Sequence, residues 1–113
     1  MKVAVIGSRD FNDYEEVKQT LSTINITLLV SGGAKGADSL GERYAKEHNI
    51  ETKIFLPDWE KYGKKAGFLR NTDIINEAEL IIAFWDGQSK GTKDSIDKAF
   101  KSEKKILIIT KTK

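Results

Sequence analysis

Residues 27–48 read TLLVSGGAKGADSLGERYAKEH, and this stretch joins two different patterns across a run of glycines. Thr27 to Val30 is a short apolar run of the kind that forms a buried strand. After the glycines, apolar residues recur at helical spacing from Ala37 to His48, and Asn49 suits the left-handed residue that ends a helix. The stretch therefore predicts a strand, a tight turn and a helix, which is the repeating unit of an α/β fold.

The rest of the chain repeats this unit. The other predicted strands are residues 2–6, 52–56, 80–85 and 106–109, and the other helices begin near Tyr14, Ala66 and Thr92. Asp13 is predicted to cap the first helix and Thr92 the last. Five near-continuous apolar strands alternating with four helices predict a parallel sheet that is covered on both faces. The simplest topology is a Rossmann-like three-layer sandwich with strand order 3-2-1-4-5.

Length and composition describe one domain spanning residues 1–113. The chain has no cysteine, which excludes disulfides and thiolate metal sites. Its one histidine, His48, falls on an apolar helix face, which favours a structural role. A carboxylate-bound Mg²⁺ is compatible with this composition, but no motif indicates one and no cofactor is predicted.

Charge and hydropathy narrow the classes of partner. No apolar run reaches the roughly 20 residues that cross a bilayer, and the N-terminal run Val3 to Ile6 is too short for a signal peptide, which favours the cytoplasm. The 19 basic and 17 acidic residues give a net charge of +2, which does not by itself argue for nucleic acid. Lysines gather at residues 61–65 and 101–105, and solvated surface is the favoured interpretation over a track for a phosphate backbone.

In a parallel sheet every strand-to-helix turn lies at the same edge, where ligands bind at the point of strand-order reversal. The unusual residues of this chain fall at those turns. The candidate ligand-binding residues are Gly7, Ser8 and Arg9 after the first strand; Gly32, Gly33, Ala34, Gly36 and Asp38 after the second; Trp59, Arg70 and Asn71 after the third; and Asp86, Gly87, Ser89, Gly91 and Thr92 after the fourth. They predict one shared site for a phosphate-bearing ligand.

The glycine turns explain why phosphate is the predicted chemistry. In the turn that starts at Gly32, uncovered amides and a helix N-terminus would form a phosphate cradle. The alternative is a tight turn of small residues that serves helix–strand packing. The turn from Asp86 to Thr92 repeats the same logic with two hydroxyls. Neither turn contains a dinucleotide fingerprint or a Walker A loop.

The charged and aromatic candidates each have two interpretations. Arg9 and Arg70 could clamp an anion bidentately or form surface ion pairs. Trp59 could stack on a base or anchor its loop to the domain. Asp38 would repel a phosphate, so its predicted partners are ribose hydroxyls, base amino groups or the first turn of its own helix.

These residues, in this order, resemble the SLOG superfamily, which joins the Smf/DprA proteins and the LOG (lonely guy) phosphoribohydrolases. Within the superfamily they are most similar to the small YspA-like branch. The matching strings are residues 7–11, 32–38, Trp59 with 66–71, and 86–92, so the resemblance covers nearly the whole chain. It implies a Rossmann-like fold, a pocket for nucleotides or nucleotide-derived ligands and, because LOG relatives commonly form dimers, a homodimer.

The resemblance also indicates which residues a catalytic relative would use. LOG enzymes cut the N-glycosidic bond of a nucleoside monophosphate with an arginine and a glutamate. Arg70 looks like that arginine, whereas the glutamate position falls on Ser95, and a serine hydroxyl does not stabilise a cation-like sugar as a carboxylate does. The leading hypothesis is therefore nucleotide binding or sensing. The alternatives are a LOG-like hydrolase and a DprA-like binder of single-stranded nucleic acid that would use the lysines and Trp59.

Overall fold

The computed structural model describes residues 1–110, in which strands and helices alternate along the chain. The strands are β1 (Lys2–Gly7), β2 (Leu28–Ser31), β3 (Glu51–Ile54), β4 (Leu80–Trp85) and β5 (Lys105–Thr110). The helices are α1 (Tyr14–Leu21), α2 (Ala37–Glu47), α3 (Trp59–Tyr62), α4 (Ala66–Glu77) and α5 (Lys90–Lys101), with a 3-10 turn at Gly63–Lys65. No helix within residues 1–110 is long and apolar enough to cross a bilayer.

All five strands are parallel and follow the order β3-β2-β1-β4-β5, which confirms the predicted topology. Alternate residues of β1 point to opposite faces of the sheet, so that Val3 and Val5 join one core and Ala4 and Ile6 join the other. The first core is closed by α1 and α2, and the second by α4 and α5. This three-layer arrangement brings every strand-to-helix turn to one edge of the sheet.

Helices cover both faces of the sheet as predicted, but the outer strands are less completely covered than the central ones. All four residues of β3 are exposed, and β5 leaves Leu107 and Ile108 partly open to solvent. The four long helices lie mainly over the three central strands, which are largely buried. Three of the four residues of Glu51–Ile54 are polar, which fits such an edge position.

Both ends of α2 and the start of α1 follow the sequence pattern. The Asp13 side chain accepts a hydrogen bond from the Glu16 amide at 3.2 Å, as predicted for a helix cap. Beyond α2, Asn49 has a φ of +55°. The His48 ring stacks on Tyr44 with ring centroids 4.0 Å apart, and its Nδ1 lies 2.9 Å from the Tyr44 carbonyl oxygen. His48 therefore has the structural role that was predicted.

The start of α5 corrects the prediction that Thr92 caps this helix. The helix begins at Lys90, with Ser89 at the cap position and Thr92 inside the first turn. The Asp86 carboxylate accepts hydrogen bonds from the Gln88 and Ser89 amides, both at 2.8 Å. These bonds fold the chain into a tight turn that starts the helix earlier than the capping residue suggested.

Candidate functional site

A cleft of about 470 Å³ opens at the carboxyl edge of the sheet, between the turns that follow β1 and β4. Strand order reverses between these two strands, which is where open α/β sheets bind their ligands. The cleft is lined by Ile6, Gly7, Ser8, Arg9, Asp10, Ala34, Asp38, Arg70, Asn71, Ile74, Asp86, Ser89, Gly91, Thr92 and Ser95. Most of the predicted ligand-binding residues are therefore brought together from four separate turns.

Some predicted residues stay outside the lining, and some lining residues were not predicted to bind. The predicted residues outside the lining are Gly32, Gly33, Gly36, Trp59 and Gly87. The additional lining residues are Ile6, Asp10, Ile74 and Ser95. Helical spacing is the signal that identifies two of them, because Ile74 follows Arg70 by four residues and Ser95 follows Thr92 by three.

Ser8 joins the turns on either side of the cleft. Its hydroxyl accepts a hydrogen bond from the Asp86 amide at 3.0 Å, and its own amide donates to the Phe84 carbonyl oxygen at 3.0 Å. Ser8 is buried at the base of the cleft. The turn after β1 is therefore held in register with the turn after β4.

Gly36 serves packing between turns. Its φ of +83° is in the left-handed region, and a Cβ atom at this position would meet the carbonyl oxygens of Ser8 and Arg9. The following amide, that of Ala37, donates to the Ser8 carbonyl oxygen at 3.3 Å. Residues 32–36, between β2 and α2, are called the second glycine turn below. At Gly36 the structure favours the packing interpretation of this turn.

The first two amides of that turn, those of Gly32 and Gly33, already donate hydrogen bonds to side chains of the protein. Asp38 is only 5% exposed, and its Oδ2 accepts the Gly32 amide at 2.9 Å. The Ser31 hydroxyl accepts the Gly33 amide at 3.2 Å. The Asp38 side chain therefore folds back from the first turn of α2 onto the preceding glycine turn. Its carboxylate lies where the sequence predicted a phosphate.

Burial dominates the ionisation of Asp38. It raises the pKa of this carboxyl from 3.8 to about 6, although the Gly32 amide and the nearby Arg70 guanidinium act in the opposite direction. The folded protein therefore holds this proton more tightly than the unfolded chain does. Between these two pKa values the folded state binds more protons, so its stability falls as the pH rises.

We expect this linkage to appear when wild type is compared with Asp38→Asn, which cannot titrate at this position. The free energy of unfolding of wild type, relative to the variant, should fall by about 2 kcal/mol between about pH 4 and pH 6.5. Urea unfolding across this range measures the difference, and other titrating groups cancel in the comparison. A difference that stays constant with pH would contradict the assignment.

Two arginines reach the cleft. Arg70 is half-buried, and its Nη1 donates to the Gly32 carbonyl oxygen at 2.5 Å while its Nε donates to Asn71 Oδ1 at 3.1 Å. Arg9 is exposed and forms no ion pair with any residue in the described range 1–110. Arg70 is therefore held in place by hydrogen bonds, and it too forms no ion pair within residues 1–110.

The first turn of α5 faces the same cleft with open donors. Within the described part of the chain, the amides of Lys90, Gly91 and Thr92 have no hydrogen-bond acceptor. Ser95 is 2% exposed, and its hydroxyl likewise has no partner among residues 1–110, although it lines the cleft. Ser89 and Thr92 bring their hydroxyl oxygens within 3.2 Å of each other. Open amides at a helix N-terminus form a receptor for an anion.

Asn71 connects α4 to the start of α5. Its side-chain amide donates to the Gly91 carbonyl oxygen at 3.3 Å and to Asp94 Oδ2 at 3.2 Å. Asp94 also pairs with Lys98 at 2.8 Å and does not line the cleft. Ser95, the residue that the resemblance aligned with the LOG glutamate, does line the cleft, and it has no carboxylate.

Trp59 lies outside the cleft on the surface of the domain. Its side chain is 54% exposed, and its ring would be 3.5 Å from a Cβ atom on Gly67 at the start of α4. This position matches the loop-anchoring interpretation more closely than stacking on a ligand in the cleft. Within residues 1–110, no group of three or more acidic or histidine side chains is arranged to hold a metal ion.

Comparison with known proteins places the chain in a family. The model of the YspA, cpYpsA-related SLOG family matches residues 1–62, which is more than half of the chain. The chain belongs to the YspA, cpYpsA-related SLOG family. The match runs from β1 to the end of α3, so this SLOG domain carries the family pattern through its first two glycine turns.

Two relatives of this SLOG domain extend the comparison to the whole chain. The Gene 61 protein of Mycobacterium phage D29 is 33% identical over 112 residues, covering 89% of this chain and 90% of that protein. The X-ray structure of DNA processing protein A (DprA) from Streptococcus pneumoniae matches with a TM-score of 0.80 and 21% identity. The match covers 98% of this chain and only 50% of the DprA chain, and at this identity it shows a shared fold.

Proposed function

We propose that this SLOG domain binds a nucleotide or nucleotide-derived ligand in the cleft between the β1 and β4 turns. One observation carries the proposal: Arg9, Arg70 and the open amides of the first turn of α5 all face the same cleft. Cations and helix N-terminal amides together are the groups that proteins use to hold phosphate. Membership of the SLOG family supports the same ligand class.

The lining suggests how such a ligand would lie. Its phosphate would be held by the amides of Gly91 and Thr92 and by the unpartnered Ser95 hydroxyl, with Arg9 supplying charge. Ile6 and Ile74 offer apolar surface to a sugar or base. A cleft with apolar walls and a few convergent polar groups is typical of a small-molecule site.

We propose binding without hydrolysis of the LOG type. The position of the LOG glutamate holds Ser95, and the carboxylates that line the cleft are Asp10, Asp38 and Asp86. Asp38 accepts the Gly32 amide, and Asp86 accepts the Ser89 and Gln88 amides, which hold the pKa of Asp86 below its ordinary value. These two side chains are thus committed to their own turns, and Asp10 is exposed on the turn after β1. Ser95 at the glutamate position has no carboxylate with which to stabilise a cation-like sugar.

A thermal-unfolding panel tests the proposal. Mono-, di- and cyclic nucleotides are added to the protein, and the same samples are then chromatographed for released base or sugar phosphate. A ligand at 100 times its Kd stabilises by about 2.7 kcal/mol, so we expect at least one nucleotide to raise Tm by several degrees without being cleaved. A Tm unchanged by every nucleotide would contradict binding, and released base would contradict the absence of hydrolysis.

A second candidate, binding of single-stranded nucleic acid, is favoured by a separate surface. Trp59, Tyr62 and Phe68 are exposed near three lysines, Lys61, Lys64 and Lys65, which are also exposed. Aromatic side chains interleaved with cations are typical of stacking platforms for single strands. Adding a thymidine oligomer to the same panel at low and high salt distinguishes the two functions, because only strand binding would weaken steeply with salt.

A further inference from the structure

The second glycine turn already contains an anion. The Asp38 carboxylate accepts the Gly32 amide at 2.9 Å, and the Ala34 amide also favours its charged form. These are the backbone donors that a phosphate in this turn would use. A phosphate group could enter the turn only by displacing a buried side chain of its own charge sign.

Asp38 also affects how much positive charge remains for a ligand. Arg70 is held at the same turn by its bond to the Gly32 carbonyl oxygen, and Asp38 is the main nearby charge that raises its pKa against the effect of burial. Asp38 thereby partly offsets the charge of Arg70 at a distance, although neither Arg70 nor Arg9 forms an ion pair within residues 1–110. Arg9 beside the open N-terminus of α5 suits a single phosphate group.

The charged side chains of the whole cleft lining also favour a ligand with a single phosphate group. It holds two arginines, Arg9 and Arg70, against three carboxylates, Asp10, Asp38 and Asp86. A phosphate at the start of α5 is close to open amides, whereas a second phosphate that reached the turn after β2 would meet the Asp38 carboxylate. Like-charge contact in a partly desolvated site disfavours a ligand strongly enough to set specificity.

We infer that Asp38 is a specificity-determining residue that restricts the cleft to phosphomonoester ligands, of which nucleoside monophosphates are the representative class, and excludes diphosphates. This inference rests on the proposed function, since it concerns which nucleotides the same cleft accepts. Asp38 occupies the Gly32 amide of the second turn with a carboxylate, so that the open amides at the start of α5 are the backbone donors left for a phosphate group.

Isothermal titration of AMP and ADP tests the inference, at about pH 8 where both nucleotides and Asp38 are ionised and without added metal. Wild type should bind AMP at least about tenfold more tightly than ADP. Asp38→Asn keeps the shape of the side chain. In this variant the affinity for ADP should rise at least about tenfold, while the affinity for AMP should change by less than about threefold. Asp10→Asn is the matched control, because it removes one carboxylate from the same lining without touching the second turn.

Each outcome of these titrations supports or overturns the inference that Asp38 excludes diphosphates. Equal binding of AMP and ADP to wild type overturns the inference and leaves the proposed function intact, and this comparison holds even if Asp38→Asn does not fold. The inference is also overturned if the ADP affinity of Asp38→Asn equals that of wild type. It is overturned as well if Asp10→Asn raises the ADP affinity as much as Asp38→Asn does, because the discrimination against ADP would then not come from the second glycine turn. If neither nucleotide binds to wild type or to either variant, the inference is overturned, and the panel of mono-, di- and cyclic nucleotides then decides the proposed function separately.

Discussion

Gly36→Ala is expected to destabilise the domain by about 4 kcal/mol or to prevent its folding. A methyl group at this position would overlap the carbonyl oxygens of Ser8 and Arg9, and the residue has a φ of +83°. Relief of the overlap would move the second glycine turn away from the turn after β1. That movement would also break the bond from the Ala37 amide to the Ser8 carbonyl oxygen.

Gly87→Ala is the matched control for this substitution. Gly87 has the same φ of +83°, but nothing lies within 4 Å of a Cβ atom placed there. The control therefore carries the backbone strain without the overlap, and we expect it to cost about 1 kcal/mol. Urea unfolding of the two variants measures the difference, and equal losses of stability would show that contact between the turns is not what requires Gly36.

The largest effect on ligand binding is expected for Arg70→Gln. This change removes a half-buried cation from the cleft and leaves the neighbouring Asp38 carboxylate unopposed beside the ligand. Arg70 forms no direct ion pair with Asp38, but like charges left facing each other in a partly desolvated site cost several kcal/mol. We therefore expect the affinity for AMP to fall at least about 100-fold, as measured by titration calorimetry at a temperature where the variant is folded.

Arg43→Gln controls for the loss of an arginine. Arg43 lies on α2, is exposed, and pairs with Glu47 at 3.2 Å, outside the cleft lining. Its substitution should leave the AMP affinity unchanged within about threefold. If both variants bound AMP as wild type does, Arg70 would have only a structural role at the Gly32 turn.

The arrangement of the sheet could be predicted from the sequence because its signals are local. The apolar runs at β1 and β4 stop at Gly7 and Asp86, and parallel pairing then brings both turns to one edge. The convergence of Arg9 with Arg70 follows from that topology rather than from any local motif. The fold and the location of the cleft were therefore accessible without coordinates.

The roles of individual glycines and carboxylates could not be predicted from the sequence. Gly32 and Gly36 look alike in the sequence, yet Gly32 donates its amide to Asp38 while Gly36 packs on the turn after β1. That distinction depends on where two distant turns meet. Similarly, Ser89 and Thr92 are both good helix caps, and the bonds that Asp86 makes to the next turn decide the start of α5.

Titration of ¹⁵N-labelled protein with AMP, followed by NMR of the backbone amides, tests most directly whether the cleft is a phosphate site. We predict saturable shifts that are largest for the amides of Gly91 and Thr92 and that extend to Arg9, since these groups face the cleft. Shifts confined to the exposed surface around Trp59 and Tyr62, or no saturable shift with AMP, would contradict the account.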